Sequence, residues 1–282
     1  MRAVLAPLCL EELFGLLEKY PAALPMAGGT DLLVRLRREK VPDERPLVLL
    51  SGVTEFHGIC DTGKAISIGA ATPLFRLITD TLVTQHAPLL VRAAETIGAP
   101  AVRNMATIGG NIGTASPAGD TLPPLYLLGA EVELASAQGR RRLPIGEFVA
   151  GPGRTRLLDR EIITSVILPH AEPFPFQTFD KVGLRRSLAV AVASFAGMVR
   201  LSAEGQVEEA RFAWGSVGPT VVRIPGLEAE LAGSRLDRET IRAASASVRG
   251  GVSPIDDIRA TAAYRRSVAA NLLVRFLEGI DG

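Results

Sequence analysis

Two double-glycine loops carry the chemistry that this sequence offers. Gly28-Gly29-Thr30-Asp31 stands in "LPMAGGTDLLVRLRR", and Gly109-Gly110-Asn111 stands further along in "ATIGGNIGTASPAGDTLPPLYLLGA". Without a Cβ, a glycine lets backbone N–H groups converge and approach a ligand closely. Consecutive N–H groups aimed into one concavity bind anions, and a helix N-terminus behind them adds partial positive charge. Two such nests suit a pyrophosphate, with its two phosphoryl groups in series. Neither loop has the Lys-Ser/Thr of a Walker A motif or the G-x-G-x-x-G spacing of the dinucleotide fingerprint. Each Gly-Gly pair alone reads more often as a tight turn, and Asp120 with Ser116 has a plain alternative as a cap for the "TLPPLYLLGA" helix. The combination favours one dinucleotide gripped by both loops.

Composition narrows the possibilities further. The 282 residues carry 31 Lys plus Arg against 30 Asp plus Glu, a net charge of +1, which argues against nucleic acid as the main partner. No apolar run reaches the roughly 20 residues of a membrane-spanning helix. Glu11 and Glu12 break the apolar N-terminus, and no cleavage site of small residues follows, so a signal peptide is not expected; a cytoplasmic location is. Cys9 and Cys60 are too few for a cluster with four protein ligands. His57, His86 and His170 are too scattered for a zinc site. No metal site is expected, and redox chemistry here calls for an organic cofactor.

The elements that must position the loops follow from periodicity and turn signals. Residues 10 to 20 have helical spacing closed by Pro21. The first loop lies between a strand and a helix, "RPLVLLSGV" is a buried strand, and "KAISIGAATPLFRLITD" is a strand, a turn and a helix that Pro73 starts. "APLLVRAAETIGA" is a helix capped by Gly98, with Pro100 just beyond. A β-like stretch precedes Gly109-Gly110-Asn111. "EVELASAQGRRRLPI" is a hairpin about Gln138-Gly139. After a proline cluster at 168 to 177 the pattern changes to three successive strands, "FQTFDKVGL", "AVAVASFAGMVRLS" and "QVEEARFAWGSVG", and then two helices, "LDRETIRAASASVRG" and "IRATAAYRRSVAANLLVRFLEG". The expectation is an α+β chain with domains at 1–171, split near 52–56, and at 172–282.

"PMAGGTDLLVRLR", "AVRNMATIGGNIGTASPAGDTLPPLYLLGA", "FDKVGLRR" and "IDDIRATAAYRRSVAANLL" occur in this order, and together they resemble the FAD-binding medium subunit of molybdenum hydroxylases. That family includes flavin subunits of bacterial xanthine, carbon monoxide and nicotinate or nicotine dehydrogenases. The resemblance implies a FAD-binding fold of the vanillyl-alcohol oxidase type, made of two α+β subdomains with FAD extended between them. It also implies a C-terminal domain of three-stranded antiparallel sheet plus helices. Ala27 to Asp31 (Gly28, Gly29 and Thr30 among them) and Thr107 to Asn111 would surround the pyrophosphate. Thr30, Asn111 and Thr114 would add side-chain hydrogen bonds. Asp120 would reach the adenosine end, and Lys181 would sit beside the isoalloxazine ring, where a cation stabilises charge developed on reduction. Leu32, Ile97 and Ile163 would give apolar contact. Pro25, Met26, Ala106, Gly109, Gly110, Ser116 and Gly119 complete the cofactor-binding set.

The same resemblance implies an electron-transfer role. A separate molybdopterin large subunit would oxidise the substrate, and a separate [2Fe–2S] small subunit would pass electrons to FAD on this chain. NAD or a quinone-type acceptor would receive them, and no residue here need act as acid or base on the substrate. Thr30 occupies the loop in which wider relatives carry a flavin-linked histidine, so non-covalent FAD is expected. Ala189-Val190-Ala191 departs from the Asp-Ile-Ala stretch of relatives near animal xanthine dehydrogenase, which leaves the acceptor open. The rivals are a self-sufficient flavin oxidoreductase, a non-catalytic assembly or cofactor-chaperone subunit, and a protein that binds another phosphate ester. Arg35, Arg37, Arg38 and Lys40 read as a solvated helix end. Arg185-Arg186 leaves room for docking, while Trp214 and Tyr264 are assigned to packing and surface.

Overall fold

The computed structural model describes residues 2–38, 45–185 and 188–281; Lys40 and Arg186 of the sequence reading lie outside them. The chain forms two compact units. The first comprises Met1–His86, Gly98–Ala115 and Gly129–His170, and the second comprises Ala87–Ile97, Ser116–Leu128 and Ala171–Gly282.

In the first unit a parallel three-stranded sheet runs Val4–Leu5, Leu47–Leu49, Leu24–Met26 in spatial order. Helix Leu10–Lys19 buries Leu13 and Leu17, four residues apart on one face, in a core with Val48, Val53 and Phe56. Glu11 and Glu12 sit in its first turn, where the helix dipole favours them. Strand Leu24–Met26 leads directly into the first glycine loop, and helix Leu32–Arg38 leaves it.

A five-stranded antiparallel sheet stands beside the parallel one in this unit, in the order Ile59–Asp61, Ala65–Gly69, Ile162–Pro169, Glu131–Ser136, Gly139–Pro144. Ile66, Ile68, Val132, Leu134 and Val166 are buried from alternate positions, as period-2 patterning requires. The expected hairpin closes at Gly139, whose φ of 142° lies in the region open to glycine.

The second unit is built on the antiparallel sheet Phe176–Val182, Ala193–Leu201, Val207–Gly215. Helices Arg238–Gly251 and Ala262–Asp281 bear the buried Val248, Ala269, Leu273 and Leu277, which share one core with Phe195, Phe212 and Trp214 of the sheet. Trp214 is fully buried, and its Nε1–H donates to the Ala269 carbonyl at 3.1 Å. Asp237 caps the first of these helices by accepting from the Thr240 amide at 2.8 Å. Helix Pro225–Leu231, which no periodicity announced, adds Leu227 and Leu231 to the core.

The neighbourhood of the second glycine loop differs from expectation. Gly109, Gly110 and Asn111 are not a turn: they lie inside helix Ile108–Thr114. The stretch before them is helix Pro100–Met105 rather than strand-like. Glycine weakens a helix by about 1 kcal/mol relative to alanine, and two local features compensate. Thr107 caps the helix, its Oγ1 accepting from the Gly110 amide at 3.1 Å. Gly109 packs so closely on Ala70 that an added Cβ would lie 2.6 Å from the Ala70 Cβ. Pro73 is likewise the N-cap of helix Leu74–Thr79 rather than its first residue.

Candidate functional site

In the first unit the first glycine loop sits directly against the chain just before helix Ile108–Thr114. A Cβ on Gly28 would lie 1.7 Å from the Met105 carbonyl oxygen and 3.1 Å from the Ala106 Cα. Only glycine permits that approach, and Gly29 next to it has a φ of 70° that side-chain-bearing residues rarely adopt. Pro25, Met26 and Ala27 therefore lead into a turn seated against Met105 and Ala106.

The amides of the two loops differ in what they offer. In the second loop Ile108 donates to Thr72 O, Gly109 to Ala70 O, and Asn111 to Thr107 O, at 3.1, 2.9 and 2.9 Å. With Gly110 bound to the Thr107 hydroxyl, these four amides are engaged within the chain. Among the described residues, the amides of Gly28, Gly29, Thr30 and Asp31 donate to no other atom of the protein. Thr30 and Asp31 are exposed, and the two glycines are half-buried. The first loop thus offers donors, and the second offers shape. Gly110 is exposed, and a Cβ there would meet only the Thr107 Oγ1, at 3.0 Å. Asn111 and Thr114 are half-buried on the same helix; the Thr114 hydroxyl donates back to Gly110 O at 3.0 Å. Ile163 reaches this helix, its Cδ1 3.5 Å from a Cβ placed on Gly113. Leu32 begins the helix after the first loop and is half-buried. Arg35 pairs loosely with Asp31 at 3.8 Å, and Arg37 and Arg38 are exposed, as a solvated helix end requires.

The second unit holds the remaining candidates. Lys181 Nζ donates to Asp120 Oδ2 at 2.5 Å and to the Thr96 carbonyl at 3.0 Å. Asp120 is buried and Lys181 nearly so, their side chains 8% and 10% exposed. Burial pushes the Asp120 carboxyl up to about 6 against the pull of Lys181. Asp120 makes no cap for helix Leu122–Leu127, whose N-cap is Thr121. Ser116 instead accepts from the Ala118 amide at 3.2 Å, and Gly119 is buried in the same bend. Ile97 follows Thr96 and is half-buried. The resemblance sends Asp120 and Lys181 to opposite ends of an extended dinucleotide. In the structure they touch each other, so one end of such a ligand would meet both. Arg185 is exposed, with its guanidinium on the Leu188 carbonyl at 2.8 Å. Thr96 was not legible as a partner, because it acts through its backbone carbonyl, which no side-chain type announces.

A groove of about 290 Å³ also opens in the first unit, lined by Glu55, His57, Cys60, Glu133, Arg140 and Ser165 among others. Its central carboxylate is already satisfied: burial pulls Glu133 upward, but hydrogen bonds from Arg142 and Thr164 hold it below the usual range. Among the described residues no group of His, Cys, Asp and Glu could hold a metal ion, and no helix is long and apolar enough to cross a membrane.

Known proteins resemble this chain along nearly its whole length. Residues 1–171 match the model of the FAD binding domain in molybdopterin dehydrogenase, and residues 178–280 match that of the CO dehydrogenase flavoprotein C-terminal domain. The chain is 32% identical over 262 residues to the xanthine dehydrogenase FAD-binding subunit of Escherichia coli O157:H7, covering 91% of this chain and 88% of that one. It is 30% identical over 287 residues to the nicotinate dehydrogenase FAD-subunit of Eubacterium barkeri, covering 98% and 96%. Among solved structures, carbon monoxide dehydrogenase from Hydrogenophaga pseudoflava superposes with a TM-score of 0.92 at 30% identity, covering 98% of this chain and 96% of the other.

Proposed function

The chain belongs to the family of FAD-binding medium subunits of molybdenum hydroxylases, and from that premise we propose that its first glycine loop holds the FAD pyrophosphate. The observation that carries this reading is the row of uncommitted amides from Gly28 to Asp31 beside a glycine at positive φ. Such a row matches the acceptor oxygens of two linked phosphoryl groups. The bare Cα of Gly110 leaves room for the cofactor where a side chain would stand. Thr30, Asn111 and Thr114 supply polar side chains, while Leu32 and Ile163 offer apolar contact. Ile97, Ser116, Gly119, Asp120 and Lys181 enter the proposal through the resemblance. The loops contain no histidine, which supports a non-covalent cofactor.

FAD, when bound, supplies the redox chemistry: it accepts electrons and releases them to an acceptor. This chain's own contribution is to bind, orient and tune. Lys181 places positive charge in a buried setting, where Coulomb attraction is stronger than in water. No side chain is assigned a proton transfer with the organic substrate. Electrons arrive from a [2Fe–2S] small subunit supplied by a molybdopterin large subunit, and leave to NAD or another acceptor such as a quinone. The names of the relatives as FAD-binding subunits support this division of labour.

The test is to purify the native assembly through a tag on this chain and measure molybdenum, iron and flavin in one peak. Stoichiometric amounts of all three are expected. Flavin with neither metal would leave a self-sufficient flavoprotein instead, and the absence of all three would favour the assembly-subunit reading.

A further inference from the structure

Lys181, Ser194 and Gly215 form one row across the three strands of the second unit. Lys181 is the register partner of Ser194, and Ser194 is the register partner of Gly215. Directly opposed residues of antiparallel strands project to the same face of the sheet. The segment bearing Asp120 lies over that face: a Cβ on Gly215 would be 2.4 Å from Ser194 Oγ, 3.3 Å from Pro123 Cγ and 3.6 Å from the Pro117 carbonyl oxygen. Beneath it, two atoms shielded from solvent have no partner among the described residues, Asp120 Oδ1 and Ser194 Oγ. Ser194 is 1% exposed and Asp120 is 6% exposed. An ammonium has three N–H groups, and Lys181 directs two of them at the Asp120 carboxylate and the Thr96 carbonyl.

A buried hydroxyl and a buried carboxylate oxygen are costly when left without hydrogen bonds. Two residues that both adjoin one lysine supply the two to four polar partners that an internal water requires. We propose that one ordered water joins Ser194 Oγ to Asp120 Oδ1 and takes the third N–H of Lys181, making Ser194 a positioning residue that holds the charged form of the Asp120–Lys181 pair. The effect of Ser194 on the bound cofactor rests on the reading of this pair as a flavin contact; the bridge itself does not.

The charged groups around the pair leave few other controls on its proton. Lys181 is the cation that acts on Asp120. On helix Pro88–Glu95, Arg92 turns to the Gln177 carbonyl and Glu95 is exposed. On the strand of Lys181, Asp180 is taken by Arg275. On helix Leu122–Leu127, burial pushes the Tyr126 hydroxyl up to about 12, so it stays neutral wherever Asp120 titrates.

The experiment is a carboxyl ¹³C titration of the full chain, with Asp120 assigned by comparison with Asp120→Asn. Ser194→Ala removes the hydroxyl. Gly215→Ala crowds the hydroxyl out without altering Ser194. In both variants the Asp120 midpoint should rise by about one pH unit, the tenfold change that follows loss of one hydrogen bond to a charged group. An unchanged midpoint in either folded variant overturns the proposal. Flavin retention is measured on the same samples. A shifted midpoint in a chain that never retains flavin, wild type included, would leave the bridge standing and remove the cofactor reading alone.

Discussion

Lys181 Nζ lies 2.5 Å from Asp120 Oδ2, joining a nearly buried lysine to a buried carboxylate far from it in the sequence. The pair is not a surface ion pair of little consequence, because removing either partner leaves a buried group uncompensated. Its proton equilibrium is therefore coupled to folding.

The pH dependence has a definite sign. The Asp120 carboxyl titrates near 6 in the folded chain, against an ordinary value of 3.8. Between those values the folded chain holds a proton that the unfolded chain has released. Stability should fall as pH rises from about 4 to about 6 and then level off, a loss on the order of 3 kcal/mol. Thermal unfolding across this window should show the slope in the wild type and none of that component in Asp120→Asn. Lys181→Met should move the midpoint higher, because the cation is what pulls it down. An identical profile in all three proteins would contradict the assignment.

Gly28 and Gly110 should separate folding from cofactor binding. A side chain on Gly28 meets the Met105 backbone, so Gly28→Ala should destabilise by about 1–3 kcal/mol or more through overpacking. A Cβ on Gly110 would meet only the Thr107 Oγ1, at 3.0 Å, and the helix preference of alanine over glycine offsets that crowding, so stability in Gly110→Ala should stay within about 1 kcal/mol of wild type. Flavin affinity in this second variant should nevertheless drop at least tenfold, about 1.4 kcal/mol. Differential scanning calorimetry beside flavin equilibrium dialysis gives both numbers. Wild-type affinity in Gly110→Ala would place the cofactor elsewhere.

Thr107 should matter for stability in its own right. Its hydroxyl caps a short, glycine-rich helix, so Thr107→Ala should cost about 1 kcal/mol. Urea unfolding would show it as a lowered midpoint with an unchanged slope.

Arg265 holds the second unit together from inside. Its guanidinium donates to the Val192 and Ser216 carbonyls at 2.6 and 3.0 Å and to Asp257 at 2.7 Å, and the residue is 3% exposed. Arg265→Met strands two buried carbonyls, while Asp257 keeps the Arg259 and Ala260 amides and the Arg259 guanidinium, and should cost about 2–4 kcal/mol. A smaller loss in chemical denaturation, under about 1 kcal/mol, would mean that the acceptors find other donors.

The sequence made some of this legible and hid the rest, for physical reasons. The three strands from Phe176 to Gly215 were legible as strand-like runs separated by turns, and helix Arg238–Gly251 as a helical run after them, all local signals. The first loop was legible because Gly28-Gly29 sits between a strand pattern and a helix pattern. Helix Ile108–Thr114 was hidden because Gly109 and Gly110 favour turns locally, and only tertiary contact with Ala70 and the Thr107 cap makes them helical. The partner of Lys181 was hidden because no spacing rule links positions 120 and 181; the strand register and the bend at Gly119 bring them together. Ser194 was missed for the same reason, since one buried serine in an apolar strand carries no pattern of its own. Arg265 sat in a quoted motif, yet its three acceptors are set by the fold alone.

The most direct measurement is the visible spectrum of the full chain loaded with FAD and then freed of excess, taken before and after acid precipitation. Flavin bands that travel with the protein and pass to the supernatant in acid are the expected result. No bands in the wild-type chain at saturating FAD would contradict the proposal that its first glycine loop holds the cofactor. Bands that stay in the precipitate would contradict a non-covalent site.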